Sequence, residues 1–188
     1  VEGFARGKRL KKMGMKASDT AELFFDDVRV PAGNLLGSEN RGFAQVMHEI
    51  PKERLSIAII ATAPTQKAFD ITVDYVMQRQ VFGKLLVDFQ NTQFKLAELK
   101  TQLRAAWAFV DQCITRQMQG ILTSDEAASA KLFCTELQGR MIDEGLQLHG
   151  GWGYMSEMQI SRMYVDGRVR RIAGGSSEVM KMLIARGL

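Results

Sequence analysis

The spacing of apolar and polar positions changes near residue 40. Before it, glycines at 3, 7 and 14 punctuate short stretches, and Ala21-Glu22-Leu23-Phe24-Phe25-Asp26-Asp27-Val28-Arg29-Val30-Pro31 is rich in β-formers and closed by proline. Residues 1 to 37 therefore read as loops and short strands. From about Gly42 a helical stripe runs through Leu55, Ala58, Ile59 and Thr62 and continues to Met77. This predicts one long helix in which Pro51 and Pro64 mark kinks or boundaries. A second helix is predicted over about 90 to 119, where Leu96, Leu99, Leu103, Ala106, Val110 and Cys113 alternate steps of three and four, the seam of a helix packed in a bundle. Gly120 ends it. A third opens at Thr123-Ser124-Asp125-Glu126, whose Thr-x-x-Glu spacing suits a capping box, and runs through Ala130, Cys134, Leu137 and Met141 to the glycines at 150 and 151. A fourth follows Gly174-Gly175. Four helices with short connections predict a mainly α chain: an antiparallel four-helix bundle preceded by a short β remnant, divided as 1–37 and 38–188.

Composition narrows the class. With 46% hydrophobic and 24% charged residues the chain has the balance of a globular protein. Its longest apolar run, Ile57 to Ala63, is far below a membrane span, so no membrane insertion is expected. The net charge of +4 is dispersed. Lys8-Arg9 with Lys11-Lys12 is the one basic cluster, and it lacks the interleaved aromatics that single-stranded nucleic acid favours, so a solvated face is expected and no nucleic-acid partner. Cys113 and Cys134 stand alone in helical patterns with no CxxC and no adjacent His. Buried reduced thiols in a reducing compartment are expected, and no metal site. The eleven methionines read as soft core filler. No charged-then-apolar leader precedes the first helix.

Candidate chemistry sits at four places. Glu53 precedes the apolar stretch Leu55 to Ala61, and a carboxylate facing an apolar cavity is suited to proton abstraction, because desolvation raises its basicity. A surface Glu in a turn beside Lys52 and Arg54 is the alternative. Arg79 offers a planar guanidinium for bidentate contact with a pyrophosphate, and Phe82-Gly83 adds an aromatic face and a close backbone approach; an exposed helix-end Arg followed by a turn fits equally. The paired glycines of Gln147-Leu148-His149-Gly150-Gly151 let backbone amides approach a phosphate or adenine, or simply terminate a helix. His149 has no partner carboxylate in its local sequence, so it is read as a packing or hydrogen-bonding residue without a catalytic role. Gly174-Gly175-Ser176-Ser177 presents free N–H groups and hydroxyls to an anion, or is an ordinary helix cap.

Taken in order, Ile50-Pro51-Lys52-Glu53-Arg54-Leu55, Arg79-Gln80-Val81-Phe82-Gly83-Lys84, Gln147-Leu148-His149-Gly150-Gly151-Trp152-Gly153-Tyr154 and Arg171-Ile172-Ala173-Gly174-Gly175-Ser176-Ser177-Glu178 resemble the C-terminal half of the acyl-CoA dehydrogenase family. The resemblance covers essentially the whole chain. It implies that residues 1–37 are the end of a middle β domain and 38–188 a C-terminal helical domain. Most members carry the catalytic base as Glu in a Tyr-Glu-Gly-Thr segment, which Ala173-Gly174-Gly175-Ser176 matches, so that the usual Glu is Gly174. In the long-chain and isovaleryl-type branches the base sits on the earlier helix, at the position of Glu53. The resemblance thus implies Glu53 as base, with Arg54, Ala173 and Gly174 at the acyl-CoA site. Ala173 in place of the usual Tyr is expected to widen that site or to leave a void beside the thioester.

For FAD, the resemblance implies contacts from Arg79, Gln80, Val81 and Phe82 that reach a neighbouring subunit, from Phe89 and Gln90, from Gln147, Leu148, His149, Gly150 and Gly151, and from Ser176, Ser177 and Glu178. The implied reaction is desaturation of acyl-CoA to trans-2-enoyl-CoA, as in fatty-acid β-oxidation, with electron-transfer flavoprotein as acceptor and a homotetramer or dimer as the assembly. The location implied is the cytoplasm of a bacterium or the mitochondrial matrix of a eukaryote. The nearest local likeness is to the long-chain type, through Leu148 to Met155 and Gly174 to Lys181. Alternatives left open are a branched or short-chain dehydrogenase or an oxygen-using oxidase of the same family, and a non-catalytic helical oligomerisation module.

Overall fold

The computed structural model describes residues 1–188, which form two compact units, Val1–Glu49 and Ile50–Leu188. In the first, strands β1 (Phe4–Arg9) and β2 (Ala21–Phe25) pair antiparallel, with Phe4 opposite Phe25 and Arg6 opposite Leu23. The register shifts between Arg6 and Arg9. The Phe4 and Phe25 rings lie 5.3 Å apart, and Arg9 pairs with Asp19. Leu23, Phe24 and Phe25 are all exposed. A 3-10 turn at Ala32–Asn34 leads towards helix α1 (Gly42–Val76).

Both expected breaks in α1 are absent, and Pro51 and Pro64 lie inside one continuous helix. A proline removes one rung of the ladder and crowds the preceding turn. Here the helix is held by its packed face, with Leu55, Ala58, Ala61, Ala68 and Phe69 buried. The Thr62, Thr65 and Thr72 hydroxyls, also buried, donate to the carbonyls of Ala58, Ala61 and Ala68 at 2.7–2.8 Å and so find their partners within the helix.

After α1 comes a tight hairpin, β3 (Gln80–Val81) and β4 (Lys84–Leu85). Then follow helices α2 (Gln90–Met118), α3 (Ser124–His149), α4 (Gln159–Gly167) and α5 (Ser177–Ala185). One core cluster joins Leu55, Ala58 and Ala61 of α1 to Ala106, Val110 and Cys113 of α2 and Ala130, Cys134 and Leu137 of α3. A second joins Ala68 and Phe69 to Leu99 and Leu103 and to Met141 and Ile142. Moving from the first cluster to the second, residue numbers rise in α1 and α3 and fall in α2. The three helices therefore run up, down, up, as expected for antiparallel neighbours. Alanines at the crossing points bring the backbones close. At Gly145 a Cβ would stand 2.7 Å from the Thr72 hydroxyl, so glycine is what lets α3 approach α1 there.

The bundle contains five helices where periodicity alone predicts four. The additional helix, α4, is nine residues long and carries its apolar residues at 160 and 163–165, too short a run to stand out between two glycine-rich turns. Ile160 nevertheless closes the second core cluster. Cys113 and Cys134 are free and buried in the first cluster, and burial pushes the Cys134 thiol up to about 11. No helix is long and apolar enough to cross a membrane.

The capping box at Thr123 forms as predicted. Thr123 N–H donates to the Glu126 carboxylate at 2.9 Å, and Glu126 N–H donates back to the Thr123 hydroxyl at 3.4 Å. Arg116, from the end of α2, also donates to Glu126 at 2.9 Å, so one carboxylate ties the α2–α3 connection together. Glu126 lies below the ordinary carboxylate range, chiefly because of the Thr123 N–H. Its contribution is present above the unfolded carboxylate range and is lost as pH falls through the lowered folded value. Thr123→Ala is expected to cost about 0.5–1 kcal/mol by chemical denaturation. The stability gap between wild type and Glu126→Gln should narrow as pH falls through and below the ordinary carboxylate range.

Candidate active site

Two of the four motifs meet where the second turn of the packed part of α1 faces the start of α5. Arg54 is buried, and its Nε donates to the Gly174 carbonyl at 3.4 Å while Nη1 reaches the Ser124 hydroxyl at 3.5 Å. Burial lowers the pKa of Arg54, and the neighbouring Glu53 opposes that shift. Gly174 has φ +66°, a left-handed conformation that glycine adopts without cost. A Cβ on Gly174 would lie 3.5 Å from Glu53 Oε1 and 2.4 Å from Ile57 Cδ1. The Glu53 carboxylate therefore stands against the Cα of Gly174, more than a hundred residues away in sequence.

Glu53 itself is exposed, and the apolar cavity anticipated around it is not built by these 188 residues. The helical phase explains this. Arg54, Leu55, Ala58 and Ala61 turn into the bundle, and Glu53 and Ser56 lie on the opposite side. Arg54 likewise points into the bundle rather than outward. Ala173 is exposed and Gly174 half-buried beside it.

The turn that carries Gly174 is held from three directions. Lys131 of α3, wholly buried, donates from Nζ to the Gly175 carbonyl. Burial lowers its pKa most, followed by Arg54, against the pull of Glu136 and Glu53. Glu136 accepts from the Ser177 hydroxyl at 2.5 Å and pairs with Arg171 at 2.7 Å. The Ser176 hydroxyl caps α5, accepting from Val179 N–H at 3.5 Å. Glu178 lies below the usual carboxylate range through its own backbone N–H first and the Ser176 hydroxyl second.

The other two motifs meet at a separate cavity of about 620 Å³. Arg79 and Val81 line one side, with Gln147, Leu148, His149, Gly150 and Gly151 on the other. Tyr75, Leu86, Trp152 and Met155 complete it, and periodicity singled out none of these. The hairpin explains where the neighbouring residues go. Phe82 and Gly83 both have positive φ, +49° and +79°, as a type I′ turn requires, and this turn throws the Phe82 ring outward, where it is 96% exposed. Gln80 is exposed beside it. Phe89 and Gln90 sit at the start of α2, and the Lys84 ammonium lies 4.0 Å over the Phe89 ring.

His149 behaves as a structural residue. It is 3% exposed, its Nδ1 lies 2.7 Å from the Gly145 carbonyl, and its ring stacks on Tyr75 at 4.3 Å. Tyr75 in turn donates to the His149 carbonyl at 3.1 Å. This stack fixes the end of α3, so that Gly150 and Gly151 carry their backbone into open space beside Arg79.

The cavity fits part of a dinucleotide cofactor: a guanidinium, an amide side chain, two glycines with free space at their Cα atoms and an indole face converge on it. The two clusters share no residue.

Comparison with known proteins identifies the family. Residues 40–188 match the family model "Acyl-CoA dehydrogenase, C-terminal domain". The mitochondrial long-chain specific acyl-CoA dehydrogenase of Mus musculus is 52% identical over 99% of this chain, which spans 43% of that relative's length. The caffeyl-CoA reductase-Etf complex subunit CarC of Acetobacterium woodii is 35% identical over 98% of the chain and 48% of its own length. The crystal structure of an acyl-CoA dehydrogenase from Geobacillus kaustophilus superposes with a TM-score of 0.96 at 46% identity, over 99% of this chain and 49% of that one. An acyl-CoA dehydrogenase from Bacillus anthracis, crystallised in complex with FAD, superposes with a TM-score of 0.92 at 29% identity, over 99% of this chain and 35% of that one. With its helical bundle, its paired glycines beside Arg79 and its match over nearly the whole chain, this protein belongs to the acyl-CoA dehydrogenase family.

Proposed function

We propose that this chain is the C-terminal part of a flavoenzyme that desaturates acyl-CoA thioesters to trans-2-enoyl-CoA, with Glu53 as the base that removes the α-proton. The observation that carries this reading is the Glu53 carboxylate lying against the Cα of Gly174. A base must reach the acidic C–H directly, and a carboxylate held at a glycine turn has room before it for the thioester. Gly174 contributes that room, and Arg54 holds the turn through its carbonyl. The exposed Ala173 enlarges the acyl side of the site, which suits a long or bulky acyl chain.

Bound FAD would supply the acceptor for the hydride that leaves the β-carbon. Arg79, Val81, Gln147, Leu148 and the backbone at His149, Gly150 and Gly151 would hold one part of the cofactor, and Gln80, Phe89 and Gln90, which do not line that cavity, would add contacts of their own. Ser176, Ser177 and Glu178, at the N-terminal end of α5, would hold another part. The separation of these clusters favours a homotetramer or dimer in which the outward Phe82 completes a neighbour's site. A relative named as part of a reductase-Etf complex supports electron-transfer flavoprotein as redox partner. The mitochondrial long-chain relative supports fatty-acid β-oxidation and, in a eukaryote, the mitochondrial matrix. Residues 1–37 would be the end of the preceding β domain and 38–188 the helical domain.

The deciding experiment uses a flavin-loaded protein of the relatives' full length that carries this chain. Glu53→Gln should keep its FAD yet slow anaerobic flavin bleaching by a saturated acyl-CoA series by about 10²- to 10⁴-fold. Wild-type bleaching in that variant would refute the assignment. Arg79→Gln should weaken FAD retention about 10- to 100-fold, read by fluorescence of released flavin, with little change in helix content because Arg79 is exposed. Gly174→Ala brings a methyl 2.4 Å from Ile57 Cδ1 at φ +66°, and a loss of about 1–3 kcal/mol is expected by thermal unfolding. Adding Ile57→Val, which deletes that Cδ1, should recover the steric part of the loss and leave the conformational part.

A further inference from the structure

The largest wholly buried side chain in this protein is a lysine, and stability does not account for it. Lys131 lies on the inner stripe of α3 between Ala127 and Cys134, where every neighbour on the stripe is small, apolar or neutral. Its Nζ has no carboxylate within ion-pair distance and donates instead to one main-chain oxygen, that of Gly175. A buried cation whose chief partner is a carbonyl loses more hydration than one hydrogen bond returns, and an apolar side chain of similar volume is commonly as stable or more so. Arg54 lies close enough to disfavour the charge further. Residues that break such a rule without a compensating gain in stability are expected at functional positions.

Two successive carbonyls point inward at this place. Arg54 takes that of Gly174 and Lys131 that of Gly175, while Glu136 takes the Ser177 hydroxyl. Gly174 and Gly175 have φ +66° and +103°, so the turn has no conformational preference of its own to keep it in place. The Arg54 bond, at 3.4 Å, is long. Lys131 is thus the principal restraint on the two glycines, and Gly174 is the residue against which the Glu53 carboxylate rests.

We propose that Lys131 is the positioning residue of the Glu53 site: by donating to the Gly175 carbonyl it holds the turn at the distance from Glu53 that proton abstraction requires. This rests on Glu53 being the base. Lys131 touches neither thioester nor cofactor and acts only through the turn. Loss of its bond leaves Gly174 free to drift relative to Glu53, and displacements of about 1 Å at a reacting centre cost up to about 100-fold.

The proton step can be read alone, in the full-length flavin-loaded protein, by exchange of the α-hydrogen of an arylacetyl-CoA in D2O. This thioester has an α C–H and no β-hydrogen to leave. The base takes the proton, the enolate is re-protonated with a deuteron from solvent, and no electrons are transferred. Lys131→Met, close in length and apolar, should keep the melting temperature and FAD content and lower the saturated exchange rate about 10- to 100-fold, with the half-saturating thioester concentration shifted less than about twofold. Glu53→Gln should abolish exchange. If Glu53→Gln lacks exchange and Lys131→Met exchanges at the wild-type rate, Lys131 has no positioning role while the base assignment stands. If Glu53→Gln exchanges normally, the base assignment fails and this proposal with it. Should Lys131→Met not fold, Lys131→Arg decides, because it keeps the charge but carries its donors at a different length: slowed exchange supports the proposal and a wild-type rate overturns it.

Discussion

The candidate site depends on the capture of one glycine turn by side chains from two helices. Gly174 and Gly175 sit between the last 3-10 turn and α5, and neither has a side chain with which to anchor itself. Their carbonyls are bound by Arg54 of α1 and Lys131 of α3, and the following Ser177 is bound by Glu136 of α3. The apolar clusters bring α1 and α3 to this spacing, since Leu55 and Ala58 pack in the same cluster as Ala130 and Cys134. The hydrophobic core therefore determines where the two cations stand, and the cations determine where the turn stands.

Electrostatics around the turn are consequently balanced rather than minimal. Arg54 and Lys131 repel each other, and burial works against both charges. Glu53 favours both, and Glu136 favours Lys131. The carboxylate proposed as base is thus also a counter-charge for the two cations that hold the turn. The second cluster contrasts with this one. At the Arg79 cavity the fixed elements are a ring stack, Tyr75 on His149, and a hairpin turn, while the guanidinium remains exposed at the edge.

Most of the architecture was legible because it rests on local rules. Steps of three and four placed α2, the Thr-x-x-Glu spacing placed the start of α3, and paired glycines placed its end. What was hidden depends on tertiary packing. Pro51 and Pro64 looked like breaks because local propensity opposes them, yet the packed face of α1 overrides it. Helix α4 was too short to carry a period of its own. At the site, the family likeness paired Glu53 with Gly174, and the geometry joins them; the exposure of Glu53 on this chain is the alternative that its neighbours Lys52 and Arg54 had kept open. Lys131 did leave a signal, a charge in phase with Ala127, Ala130, Cys134 and Leu137, which helix amphipathicity alone would have flagged as misplaced.

The two positions at which the resemblance places a base, 174 and 53, exclude each other in this geometry. A side chain at 174 would need the volume occupied by Ile57 Cδ1 and would bring its first carbon to 3.5 Å from Glu53 Oε1. Adding a second carboxylate there would also set two like charges side by side, so that one would have to take up a proton. If Glu53 is the base, as proposed, its placement on the helix involves more than one residue. On the proposed reading, an acid at 53 goes together with a glycine at 174, whose positive φ and missing side chain leave room beside the carboxylate and beside Ile57. Gly174 lies against both Ile57 and the Glu53 carboxylate, and a turn that had merely lost an acid would specify neither neighbour.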